Sequence, residues 1–178
     1  MPRRLDANPT ASLEKLIAGL PTADFSLNVA VVYQDAPTHR WAEQVYQKVE
    51  TILGAKAVRG TWWNLEDLRQ PGVLAGAVSK AMRADMIVIA VSASEGLPLP
   101  FYFWVNAWLP HRSSNAGALV ALLGAPVPRT TESGRLKKFL RTVARRTRMD
   151  LLVAERYPGV LATRESLQIG SGTASAEA

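Results

Sequence analysis

Unbroken apolar runs too short for independent helices most constrain what this chain can fold into. LNVAVVYQD at 27–35, DMIVIAVSA at 85–93 and GALVALLGAP at 117–126 each carry five or six consecutive apolar residues, many of them β-branched. A strand with one wet face alternates apolar and polar residues, whereas an unbroken run marks a strand covered on both faces. Cover on both faces calls for helices above and below the sheet.

The segments between the runs supply those helices. THRWAEQVYQKVETILG at 38–54 sets Trp41, Val45, Val49 and Ile52 at helical spacing, with Thr38 as expected N-cap and Gly54 as stop. PGVLAGAVSKAMRA at 71–84 places Val73, Leu74, Ala77, Val78, Ala81 and Met82 on one face. Its Lys80 and Arg83 stand at the end where the helix dipole favours cations. Phe101, Trp104, Val105 and Trp108 fall at i, i+3, i+4 and i+7 between Pro100 and Pro110, a third amphipathic helix. In SGRLKKFLRTVARRTR at 133–148, Leu136, Phe139, Leu140 and Val143 form the packing face, and Lys138, Arg141, Arg145 and Arg148 lie opposite. Two weaker runs complete the alternation: AKAVRGTWWNL at 55–65, interrupted by Gly60, and DLLVAERY at 150–157.

Five strands alternating with four helices predict an α/β fold, a three-layer, doubly wound, five-stranded parallel sheet with the flavodoxin-like order 2-1-3-4-5. The expected domain spans 24–160. Residues 1–23 form an extension with a short helix (SLEKLIAGL), and 161–178 form a Gly, Ser and Ala-rich tail. At 178 residues one core suffices. With no cysteine, disulfides, thiolate zinc sites and cysteine nucleophiles are excluded, and a cytoplasmic location is the expectation. No export signal is expected from the charged start, and prolines break the one long uncharged stretch, so no membrane partner is expected.

Net charge is +6, yet from Arg129 to Arg148 eight basic residues face one acid, so this stretch carries +7 and the rest of the chain −1. The basic character belongs to one helix. It nominates nucleic acid or an acidic protein as partner through Lys138, Arg141, Arg145 and Arg148, against the simpler expectation of a solvated helix face.

In an open parallel sheet, ligands bind at the carboxyl ends of the strands where the strand order reverses, here between the first and third strands. That rule nominates Gln34, Asp35 and His39, Asn64, then Ser92, Ser94 and Glu95. Asp35 and Glu95 could pair as acid and base across the crevice, with His39 as proton carrier. The competing expectation is that Asp35 caps a helix and Glu95 is a solvated loop carboxylate. Ser92, Ser94 and Gly96 could offer hydroxyls and N–H groups to a small anion. YQDAPTHR stands where a glycine-rich phosphate loop would be, and the two histidines fall at opposite ends of the sheet, so neither a cofactor nor a metal is expected.

By element order, residues 27–157 resemble the flavodoxin-like group that includes response-regulator receiver domains and TIR-type signalling domains. Receiver domains end their third strand in aspartate and their fifth in lysine, where this chain has VSAS and AERY. TIR domains carry a catalytic glutamate on a Trp-containing helix, where Trp104 is followed by Val105, Asn106, Ala107 and Trp108. The segment ADMIVIAVSASEGLPLPFYFWVNAWL also resembles a set of uncharacterised bacterial proteins in which an Ala-Asp strand precedes a W…WL helix. A complete fold lacking those chemical signatures implies a non-catalytic module that binds a protein partner or a regulatory ligand, with a homo-oligomer among the options. The alternatives are a small nucleotide-binding protein, hydrolase or transferase using the crevice, and a nucleic-acid binder using the basic helix.

Overall fold

The computed structural model describes residues 9–18, 26–92, 96–112, 116–124 and 131–156. Its elements run α1 (Pro9–Ile17), β1 (Leu27–Tyr33), α2 (Ala36–Leu53), β2 (Val58–Asn64), α3 (Pro71–Arg83), β3 (Met86–Ser92), α4 (Leu99–Trp108), β4 (Gly117–Gly124), α5 (Thr131–Thr147) and β5 (Met149–Arg156). Short 3₁₀ turns stand at Ala55–Ala57, Asp67–Arg69 and Leu109–His111. The five strands form one parallel sheet in the order β2-β1-β3-β4-β5. This is the flavodoxin-like arrangement that the alternation of elements predicts.

Both faces of the sheet are covered, as the unbroken runs require. On one face α3, α4 and α5 close over Ala30, Val32, Ile87, Ile89, Leu119 and Ala121. On the other, α1 and α2 cover Val29, Val31, Val88, Val120 and Leu152. Alternate residues of each strand thus feed opposite cores, which is the period of two expected of a strand. Trp62 joins the α2 side and Trp63 the α3 side by the same rule. The N-terminal helix contributes Leu13 and Ile17 to the core beneath α2 and β5.

Gly60 interrupts the apolar run of β2 for a steric reason. A Cβ built there would stand 2.7 Å from the Tyr46 ring of α2, so the glycine makes room for an aromatic side chain of the covering helix. Burial raises the Tyr46 phenol above its ordinary pKa, with Glu50 adding to the rise and a hydrogen bond from the Gly60 backbone opposing it.

Arg148, in the turn from α5 to β5, has φ of 57°, the left-handed region where a side chain crowds the backbone. Glycine fits that conformation without a Cβ. Arg148→Gly is expected to raise the unfolding free energy by about 0.5–1 kcal/mol, net of glycine's greater entropy loss. Urea denaturation checks it, and a loss of stability would mean that the arginine side chain supports the turn.

Candidate functional site

The carboxyl ends of β1 and β3 meet where the topology reverses, and the side chains there serve the backbone. Gln34 extends from β1, and its Oε1 accepts the Ser92 N–H at 2.9 Å, tying the two strand ends together. Its own N–H donates to Ala90 O at 3.1 Å, prolonging the β1–β3 ladder by one residue. Asp35 is the N-cap of α2: its Oδ1 accepts the Thr38 N–H at 2.9 Å, and the Thr38 hydroxyl accepts the Asp35 N–H at 2.9 Å. This reciprocal capping box satisfies donors that a helix start otherwise leaves open. Thr38, expected as N-cap, is therefore the third helical residue, and α2 begins two residues before it. At the end of β2, Asn64 Oδ1 accepts the Glu66 N–H at 2.9 Å and shapes the following turn.

Three nominated residues, Gln34, Asp35 and Ser92, are thus brought together, with Asn64 at the neighbouring strand end opposite Tyr33. Ser94 and Glu95 lie outside the described residues, as do 1–8 and the tail 161–178. His39 faces aromatic rings, with the Tyr33 ring centroid at 4.4 Å and the Trp62 centroid at 5.3 Å. Its Nδ1 lies 3.6 Å from Glu43 one turn along α2. The Tyr33–His39 and Tyr46–Trp62 contacts are edge-on and the His39–Trp62 contact is tilted, so that β1, β2 and α2 together build one aromatic set. Among the described residues no group of three His, Cys, Asp or Glu side chains could hold a metal ion.

β5 continues through Glu155 and Arg156, whose side chains diverge to opposite faces. Glu155 accepts from Lys137 Nζ at 2.8 Å and from the buried Ser133 hydroxyl at 3.0 Å, locking the start of α5 to the strand end. The Arg156 guanidinium lies 4.5 Å from the centre of the Trp41 ring and donates to Gln44 at 3.0 Å. Burial lowers its pKa.

A polar cluster that sequence reasoning missed sits at the opposite, amino edge of the sheet. Asp85 Oδ2 accepts the Asn28 N–H at 2.8 Å, while the Asp85 backbone donates to Asn28 O and accepts from Ala118. Beside it Arg112 donates to Ala81 O at 2.9 Å and Ala84 O at 2.7 Å, closing the last carbonyls of α3. Burial pulls the Arg112 guanidinium below its ordinary pKa, and the Asp85 carboxylate opposes that shift. Its partners lie about thirty residues apart in sequence or more, and no local pattern announces them.

On the α3–α4 side of the carboxyl edge, an open groove of about 550 Å³ runs between Leu68, Arg69 and Leu74 on one bank and Pro98, Leu99, Pro100 and Phe103 on the other. Leu99 is 69% and Phe103 62% exposed, although the rest of the helix face buries Phe101, Trp104 and Trp108 completely. Tyr102 packs edge-on against Phe139 of α5 at 5.4 Å.

The fold and these strand ends define a flavodoxin-like α/β domain whose described crevice residues are engaged in capping and strand closure. No family model matches the sequence, and no curated protein matches it. A solved structure to which the chain is similar is that of the Trp repressor binding protein from Bacillus subtilis, 12% identical over 81% of this chain and 99% of that one, with a TM-score of 0.48. At that level the likeness carries no argument about chemistry. No helix among the described residues is long and apolar enough to cross a membrane.

Proposed function

We propose that the protein is a non-catalytic binding module, receiver-like or TIR-like in architecture and cytoplasmic, that engages a protein partner through the α3–α4 groove. The observation that carries this reading is the pair of exposed side chains Leu99 and Phe103, one helical turn apart beside the apolar floor of Leu68 and Leu74. An apolar centre with a charged rim, here Arg69 and Glu66 joined at 3.2 Å, is the pattern of a protein interface. The groove suits a segment presenting apolar side chains on one face, as an amphipathic helix does. The engagement of Gln34, Asp35 and Asn64 in capping and turn bonds supports the same reading, because it leaves those groups to hold the backbone rather than a substrate.

Affinity capture with the wild-type chain and with Phe103→Asp tests this. A protein held by the wild type and lost with the folded variant is the expected result. The reading is overturned by a small-molecule thermal-shift panel of nucleotides, NAD, flavin and sugar phosphates if one ligand raises the melting temperature by roughly 5–10 °C, the effect of about 2.7 kcal/mol of binding in a domain this size, and Gln34→Ala abolishes the rise.

A further inference from the structure

We infer that the outer face of α5 is a docking surface for the phosphate backbone of a nucleic-acid duplex. The inference is independent of the groove. Of the basic residues on and just after this helix, Arg135 is paired with Glu132 at 3.0 Å and Lys137 with Glu155 at 2.8 Å. Lys138, Arg141, Arg145, Arg146 and Arg148 are all exposed, and none has a carboxylate partner among the described residues. Lys138, Arg141 and Arg145 follow one another at helical spacing, with Arg148 beyond the helix end. At 1.5 Å of rise per residue they make a cationic ridge about 15 Å long.

The chemistry of the ridge selects among polyanions. An acidic protein partner would need a desolvated apolar or aromatic centre to hold it, because exposed ion pairs alone contribute little. The exposed positions of α5 offer none: Leu136, Leu140 and Val143 point into the core, and Phe139 packs against Phe101 and Tyr102. A single strand would be held by aromatic stacking, for which the same face has no ring. What remains is a row dominated by arginines, whose planar forks match phosphate oxygens two at a time. A duplex presents one charge per about 1.7 Å of axis, more phosphates along the ridge than its four cations can neutralise.

Binding of this kind is non-specific in sequence and steep in salt. Fluorescence anisotropy with end-labelled DNA duplexes of about 20 base pairs and two unrelated sequences reads both properties. The wild-type chain is expected to bind the two equally, with a slope of log K against log salt of about −4, so that affinity falls roughly a hundredfold or more between 50 and 200 mM. The triple variant Lys138→Gln, Arg141→Gln, Arg145→Gln is expected to reduce the slope by about 3 and to bind more weakly at 50 mM. Arg148→Gly removes one further cation from a turn that accepts glycine, and it is expected to reduce the slope by about 1. Circular dichroism establishes that each variant is folded. The inference is overturned if the wild type fails to bind duplex at 50 mM salt, if the folded triple variant binds as the wild type does, or if polyglutamate displaces the duplex at equal charge concentration, which would assign the ridge to an acidic polypeptide.

Discussion

Trp104→Ala is expected to lower the unfolding free energy by about 3–5 kcal/mol, the range for deleting a large aromatic side chain from a packed core. Trp104 is 0% exposed and sits between Phe101 and Trp108, with ring centroids 6.1 and 5.8 Å away. Its removal opens a cavity under α4 that neighbouring rings, themselves enclosed, fill only in part. A loss of that size consumes a large fraction of the stability of an ordinary domain. Trp104→Phe sharpens the expectation. The Nε1 hydrogens of Trp104 and Trp108 are buried with no hydrogen-bond partner among the described residues. Phenylalanine keeps most of the packing and discards a donor whose burial costs about 1–3 kcal/mol unpaired. The phenylalanine variant should therefore retain much of the stability that alanine loses, as read from denaturant midpoints. Equal losses in the two variants would mean that the indole N–H is satisfied after all.

Gly117→Ala is expected to cost about 2–4 kcal/mol, at the far edge of the sheet from the candidate site. A Cβ there would stand 2.7 Å from Asp85 O and 2.7 Å from Arg112 Nη2. Neither neighbour can give way cheaply. Asp85 O accepts the Ala118 N–H that opens the β3–β4 ladder, and Arg112 is held by the carbonyls of Ala81 and Ala84. The cost combines overpacking with the loss of charge-assisted hydrogen bonds from a guanidinium already partly desolvated. In an Arg112→Ala background the same glycine change should cost less, because one of the two clashes has gone. A double-mutant cycle measures the difference, and strict additivity would contradict the shared site.

These two positions show what the sequence does and does not disclose. Trp104 was legible as core because Phe101, Trp104, Val105 and Trp108 obey the helical period on their own. The three continuous apolar runs likewise announced β1, β3 and β4 as doubly covered strands, and their alternation with helices led to the observed strand order. Gly117 was not legible, because its constraint comes from residues on α3, on the turn before β3 and on the approach to β4. Gly60 looked like a flaw in β2 for the same reason: Tyr46 lies fourteen residues away in sequence and explains it only once the helix is laid on the sheet.

At the crevice the sequence placed Gln34, Asp35 and Ser92 at adjoining strand ends and left open what their side chains do. Gln34, Asp35 and Ser92 do meet where the strand order reverses, as the topology required. Polar residues at a helix start can hold either a ligand or the helix, and the choice depends on hydrogen-bond geometry that spacing does not carry. Here Asp-x-x-Thr, with Pro37 in the first turn, makes the capping box, and the cap moved from Thr38 to Asp35. The basic face of α5 was read correctly from periodicity; its division into paired and unpaired cations required Glu132 and Glu155 to be placed in space.

The most direct test of whether the crevice side chains serve the fold is the stability of Asp35→Ala. Removing an N-cap typically costs about 1 kcal/mol, which in a domain of this size lowers the melting temperature by about 2–4 °C. A fall of that size is the expected result. Groups held for binding or catalysis commonly cost the protein stability, so that removing them raises it. A melting temperature that stays level or rises in Asp35→Ala would contradict the structural role assigned to this carboxylate and return the crevice to candidacy as an active site.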